Sequence, residues 1–143
     1  MKHLILFIIL NITLGLFSCQ SSVTAQGVPD AVKSTFQAKY PGENDPDWHT
    51  DRNGNFESHF KKKGVKYRAD FSPDGKWIET EQSISKKDLP DAIKDKLKKD
   101  YDDYKIVELE KVDSASKGAF YDVEIKKDGK KMDVEFRADG SVL

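Results

Sequence analysis

The chain has 143 residues, of which 34% are charged and 37% belong to the aliphatic, aromatic and cysteine set, with a formal net charge of −1. That length fits one ordinary domain or two halves sharing a core, and eight Phe, five Tyr and two Trp exclude a chain too poor in apolar surface to fold. Near-neutral charge supplies no global field for phosphate backbones, so nucleic acid is not an expected partner.

Residues 1–18 read as a signal peptide. Lys2 and His3 give a short basic start, and Leu4 to Leu16 is apolar apart from Asn11, Thr13 and Gly15. The run is too short to span a bilayer comfortably and has the shape of a secretory h-region, so export is expected. The only cysteine, Cys19, closes Leu16-Phe17-Ser18-Cys19. This resembles the lipobox of bacterial lipoproteins and makes Cys19 a lipidation candidate, with 19–27 as a tether. Val23-Thr24-Ala25 also resembles an ordinary signal-peptidase site, whose use would release a soluble chain from Gln26. Membrane contact is expected only through that lipid. With no other cysteine, the folded part must be held without disulfides.

Beyond the tether the sequence repeats itself. Pro29-Asp30-Ala31-Val32-Lys33 returns as Pro90-Asp91-Ala92-Ile93-Lys94, and Tyr40 returns as Tyr101, so five of twelve positions are identical. Farther on, Gly64 matches Gly129, Phe71 matches Phe136, and Asp74-Gly75 matches Asp139-Gly140. The offset grows by about four residues, which places an insertion around Asp113 to Lys117. The expected boundaries are 28–84 for a first unit and 85–143 for a second, with Ser83 to Asp88 as a short linker.

Each unit opens with a helix pattern. Val32, Phe36 and Tyr40, then Ile93, Leu97 and Tyr101, recur every four residues and make one apolar stripe per helix. After each helix the period becomes two. Phe56, Ser58 and Phe60 alternate with Glu57, His59 and Lys61, and Tyr67, Ala69 and Phe71 with Lys66, Arg68 and Asp70. Tyr121, Val123 and Ile125 alternate with Asp122, Glu124 and Lys126, and Met132, Val134 and Phe136 with Asp133, Glu135 and Arg137. Strict alternation predicts antiparallel strands with one covered and one wet face. Hairpin turns fall at Asn53-Gly54, Lys63-Gly64, Asp74-Gly75, Asp128-Gly129 and Asp139-Gly140. Further strands are expected at Trp48–Thr50, Lys105–Val112, Lys76 to about Gln82, and Ser141–Leu143. The expected class is α+β: a helix plus four antiparallel strands written twice, in a sheet of about eight strands with both helices on one face.

Catalytic chemistry finds little support. No Ser sits in a G-x-S-x-G elbow, Cys19 lies outside the fold, and Glu79 and Glu81 read as a strand charge pair. An enzyme is therefore not expected, and no cofactor is implied. His49 lies among Asp45, Asp47 and Asp51, but Gly54 comes too early for an EF-hand loop and His59 stands apart in sequence, so no metal is assigned. Lysine clusters at 61–63, 96–99 and 126–131 are interleaved with acids and read as solvated surface.

The segments Val28-Pro29-Asp30-Ala31-Val32, Tyr40-Pro41-Gly42, Asn53-Gly54 and Asp74-Gly75-Lys76-Trp77, with Trp48, Phe56, Phe60, Phe71 and Glu81, resemble the PepSY-like family of beta-lactamase-inhibitor-like proteins. Its members are small exported proteins of Gram-negative bacteria. The resemblance implies an antiparallel sheet with helices on one side, as in a beta-lactamase inhibitor, whose open face grips its partner. It implies little about activity.

The expected partner surface is accordingly the open sheet face: Glu57, His59, Lys61, Arg68, Asp70, Phe120, Glu124, Glu135 and Arg137. The expected function is a non-enzymatic, periplasm-facing binding module for an envelope protein, with inhibition or modulation of a peptidase or other enzyme as the finer reading. A small-ligand or cation carrier and a purely structural envelope protein are the alternatives.

Overall fold

Both helices begin on a proline, where a missing N–H costs nothing. A computed structural model describes residues 21–22 and 27–143; the signal segment, Cys19 and the Val23-Thr24-Ala25 alternative lie outside them. Helix α1 spans Asp30–Lys39 and α2 spans Asp91–Asp100, with Pro29 and Pro90 at their N-caps. The Pro29 and Pro90 carbonyls accept from Lys33 and Lys94 N–H, both at 3.1 Å. Asp30 and Asp91 complement the positive helix end. Tyr40 and Tyr101 close the helices by donating their N–H to the Phe36 and Leu97 carbonyls.

The strands are β1 (Ser21–Ser22), β2 (Asp47–Thr50), β3 (Phe56–Lys62), β4 (Val65–Phe71), β5 (Trp77–Ser83), β6 (Lys105–Ser114), β7 (Gly118–Lys127) and β8 (Lys130–Phe136). Strands β2 to β8 form one antiparallel sheet in sequence order, and the two residues of β1 pair along the outer edge of β2. The strand expected at Ser141–Leu143 is corrected to a single bridge, Phe136 to Val142. Ser141 is drawn instead into the turn, donating from N and Oγ to Asp139 Oδ1 while its carbonyl accepts from Arg137 N–H. Around the insertion expected near Asp113, the β6–β7 hairpin has two ten-residue strands.

Register shows that both helices cover the same face. Tyr67 opposes Gln82, Gln82 opposes Lys111, Lys111 opposes Tyr121, and Tyr121 opposes Phe136. Tyr67 packs in the α1 cluster, with Phe36, Trp48, Phe60 and Phe71; Tyr121 and Phe136 pack in the α2 cluster, with Ile93, Leu97, Val123 and Ile125. Fully burying each large side chain contributes roughly 1.5–3 kcal/mol. The linker between the halves is a 3-10 turn, Lys86–Asp88, closed by a Ser85/Asp88 capping box.

Each helix also meets a glycine turn. A Cβ on Gly75 (φ +85°) would lie 2.8 Å from the Ala31 carbonyl carbon, and one on Gly140 (φ +83°) 2.8 Å from the Ala92 carbonyl oxygen. Only glycine combines that backbone with so close an approach.

Candidate functional site

The face away from the helices carries the residues left over by the alternation. Glu57, His59 and Lys61 from β3 lie opposite Asp70, Arg68 and Lys66 of β4. Arg68 and Asp70 in turn face Glu81 and Glu79 of β5. On the far side, Glu108 and Glu110 of β6 face Glu124 and Asp122 of β7, which face Asp133 and Glu135 of β8.

Glu108 and Glu110 reach this face through a bulge. The β6–β7 register shifts between Ile106 and Glu108, leaving Val107 without a partner and exposed. Ile106 and Leu109, three apart, can then both pack in the α2 cluster. An odd spacing between two core residues within one strand is the sequence signal that would have revealed the bulge.

The result is a depression of about 250 Å³ walled by Arg68 and six carboxylates: Glu81, Glu108, Glu110, Asp122, Glu124 and Asp133. Arg68 Nη2 lies 2.5 Å from Glu81 Oε1 and 3.3 Å from Asp70 Oδ2. One guanidinium does not neutralise so many acids. Burial pushes Asp70 up to about 6 against the pull of Arg68, with Glu57 and Glu79 adding repulsion. Burial followed by Asp133 and Glu135 pushes Asp122 up to about 6 as well. Burial also raises Glu81 and Glu110, which are hydrogen-bonded to each other, so the pair holds a proton beyond the usual carboxylate range even though Arg68 touches Glu81. The Coulombic preference is for added positive charge.

All nine expected face residues lie on this side of the sheet, but not equally within reach. Lys61 is exposed, His59, Arg68, Asp70, Glu124, Glu135 and Arg137 are half-buried, and Glu57 is buried. Phe120 corrects the expectation: at 3% exposure it is not a contact aromatic. It lies opposite the buried Val112, with Lys117 Nζ 5.2 Å from its ring centroid, while Arg137 Nη1 donates to the Lys117 and Ala119 carbonyls. Glu135 accepts from Lys117 Nζ at 2.6 and 2.7 Å, and Glu124 pairs with Lys131 at 2.7 Å.

The acidic loop read around His49 is also revised. Asp51 accepts the N–H of Asn53 and of Asn55, each at 2.8 Å, and both side-chain amides, so its carboxylate is spent on the turn. His59 does not stand apart: its ring lies 4.7 Å from that of His49. Burial lowers its pKa, partly offset by Glu57.

Comparison with known proteins agrees with this architecture. The family model described as "Putative beta-lactamase-inhibitor-like, PepSY-like" matches residues 17–56 and 54–143. The chain belongs to this family. Solved structures similar to this PepSY-like protein include several from Bacteroides. One from B. eggerthii, described as a "putative periplasmic" protein, is 19% identical with a TM-score of 0.72 over 81% of this chain and 86% of that one. A DUF2874 family protein from B. ovatus is 22% identical, with a TM-score of 0.71 over 80% and 84%. A BLIP-like protein from B. fragilis is 18% identical, with a TM-score of 0.68 over 80% and 82%. At such identities the likeness shows the fold alone. No curated protein matches the chain.

Proposed function

We propose that this PepSY-like chain is an exported, non-enzymatic binding module whose open sheet face receives a positively charged surface of an envelope protein. The observation that carries this reading is the depression in which six carboxylates surround Arg68. A lysine- or arginine-bearing partner segment would counter the burial and mutual repulsion that raise the Glu81–Glu110 pair, so docking and proton release would be linked. The finer reading is an inhibitor or modulator of an envelope peptidase or other enzyme. It draws on the family's inhibitor-like description and on the fold shared with a BLIP-like protein. The two halves, 28–84 and 85–143, are on this reading a duplicated unit that together builds the one face.

The test compares capture from a solubilised envelope extract by the protein and by its Glu108→Lys/Glu124→Lys/Asp133→Lys variant at low and high salt. A partner retained by the protein, released by salt and lost from the variant is expected, with circular dichroism unchanged. Equal capture by both would remove the face from the function.

A further inference from the structure

Four metal-ligating side chains meet on the open face at the β2–β3 end of the sheet, beyond the acidic depression. Register sets Asp47 opposite His59 and His49 opposite Glu57. The two imidazoles therefore occupy one diagonal of a cross-strand rectangle and the two carboxylates the other. Along β2, His49 Nε2 stands 3.1 Å from Asp47 Oδ2; along β3, His59 Nε2 stands 3.5 Å from Glu57 Oε2.

Those spacings carry chemical meaning. A tetrahedral ion with ligands at about 2.0–2.1 Å holds neighbouring donor atoms about 3.3 Å apart. Each nitrogen–oxygen pair thus already spans one edge of such a shell. The two edges have not closed on a common point, since Asp70, Glu79 and Glu81 form the one group of three ligand atoms within 4.8 Å among the described residues. Closure asks little of the fold. The His49 and Glu57 side chains are 17% and 10% exposed and held in place, whereas His59 and Asp47, at 41% and 74%, have room to rotate.

The surroundings also permit a cation. Arg68 lies opposite His59 and its charge is felt there, but its Nη2 is turned to Glu81 and Asp70, which offset that charge. The His59 Nε2 atom is shielded from water and makes no hydrogen bond of normal geometry, its contact with Glu57 being long. Magnesium and calcium prefer all-oxygen shells, whereas paired imidazoles favour zinc, nickel and copper.

We infer that Asp47, His49, Glu57 and His59 form a binding site for a divalent transition-metal ion of the zinc class. The inference does not rest on the docking proposal, although Glu57 and His59 share the open face with it. Calorimetric titration with ZnCl2, with MgCl2 as control, and the visible spectrum after CoCl2 test it. The expected result is one zinc per chain, no response to magnesium and a tetrahedral cobalt band. His49→Gln and His59→Gln should each weaken zinc binding at least about tenfold, with metal-free melting unchanged. Zinc binding that survives in the double His49→Gln/His59→Gln variant, or is lost in Glu79→Gln instead, overturns the assignment. So does the absence of saturable zinc binding.

Discussion

The two halves of the molecule reach the same arrangement with different packing chemistry. Around α1 the core is aromatic: Phe36 sits 5.2–6.2 Å, centroid to centroid, from Tyr40, Trp48, Phe60 and Phe71. Around α2 it is mostly aliphatic, built on Ile93, Leu97, Leu109, Val123, Ile125 and Val134 with Phe136. The positions shared by the halves include the proline-started helices, the glycines against Ala31 and Ala92, and one buried aromatic, Phe71 in the first and Phe136 in the second. Most other core side chains differ between the halves, as a close-packed interior allows when total volume is kept.

The largest expected effect breaks that comparison at its centre. Phe36→Ala should cost about 4 kcal/mol and Leu97→Ala about 3 kcal/mol, from the transfer and cavity terms of a large buried side chain. Both tryptophans, Trp48 and Trp77, lie in the first half. Fluorescence in a urea titration therefore reports the α1 half, and far-UV circular dichroism the whole. One cooperative unit requires the two probes to coincide in both variants. Transitions that separate in Leu97→Ala would mean that the halves fold as distinct units.

Next in size are the two glycines. Gly75→Ala and Gly140→Ala should each cost about 2 kcal/mol, because a positive φ and a helix backbone are both opposed. Gly75→Ala should cost more: its Cβ would meet three Ala31 atoms at 2.8–2.9 Å, while at Gly140 the second and third contacts lie at 3.1 and 3.3 Å. Denaturant midpoints of the two variants measure the order directly.

These positions separate what the sequence makes legible from what it hides. The helical stripes, the alternating strands and the Asp-Gly turns are local patterns, and the structure holds them where the residues indicate. The acidic depression is not local. It depends on the Val107 bulge, which reverses the facing of β6 after Ile106, and on β5 pairing with β6 across the helix α2 connection. Likewise, His49 and His59 meet only because the β2–β3 register pairs Asp47 with His59. Phe120 alternates outward, yet Lys117 from the preceding turn lies over its ring, a contact that no local pattern reveals.

The smallest effect concerns the two ends of the charged face. Asp70, Asp122 and the Glu81–Glu110 pair have raised folded pKa values, so each favours folding at low pH and loses that contribution as pH rises through its folded value. His59, with a lowered value, acts in the opposite direction below about 6.5. Asp51, Asp74, Asp88, Asp100 and Asp139 are lowered, and their contribution is lost only below about pH 4. The urea midpoint should therefore rise on going from pH 8 to pH 5, by about 1 kcal/mol in stability, before acid unfolding begins. Glu81→Gln should flatten this rise and stabilise the protein at pH 8. A midpoint that falls steadily from pH 8 to pH 5 would show that the acidic end carries no repulsion.

The strictly sequential strand order has a kinetic consequence. Each hairpin closes a loop of a few residues, and only the passages from Ser22 to Asp47 and from Ser83 to Lys105, which contain α1 and α2, close longer ones. Loop-closure entropy opposes distant pairings most, so this sheet can assemble by adding one neighbour at a time. The long β6–β7 hairpin, with ten residues in each arm, offers the most local pairing of any two strands. It is the natural nucleus from which the sheet zips outward in both directions, with no strand ever inserted between two others.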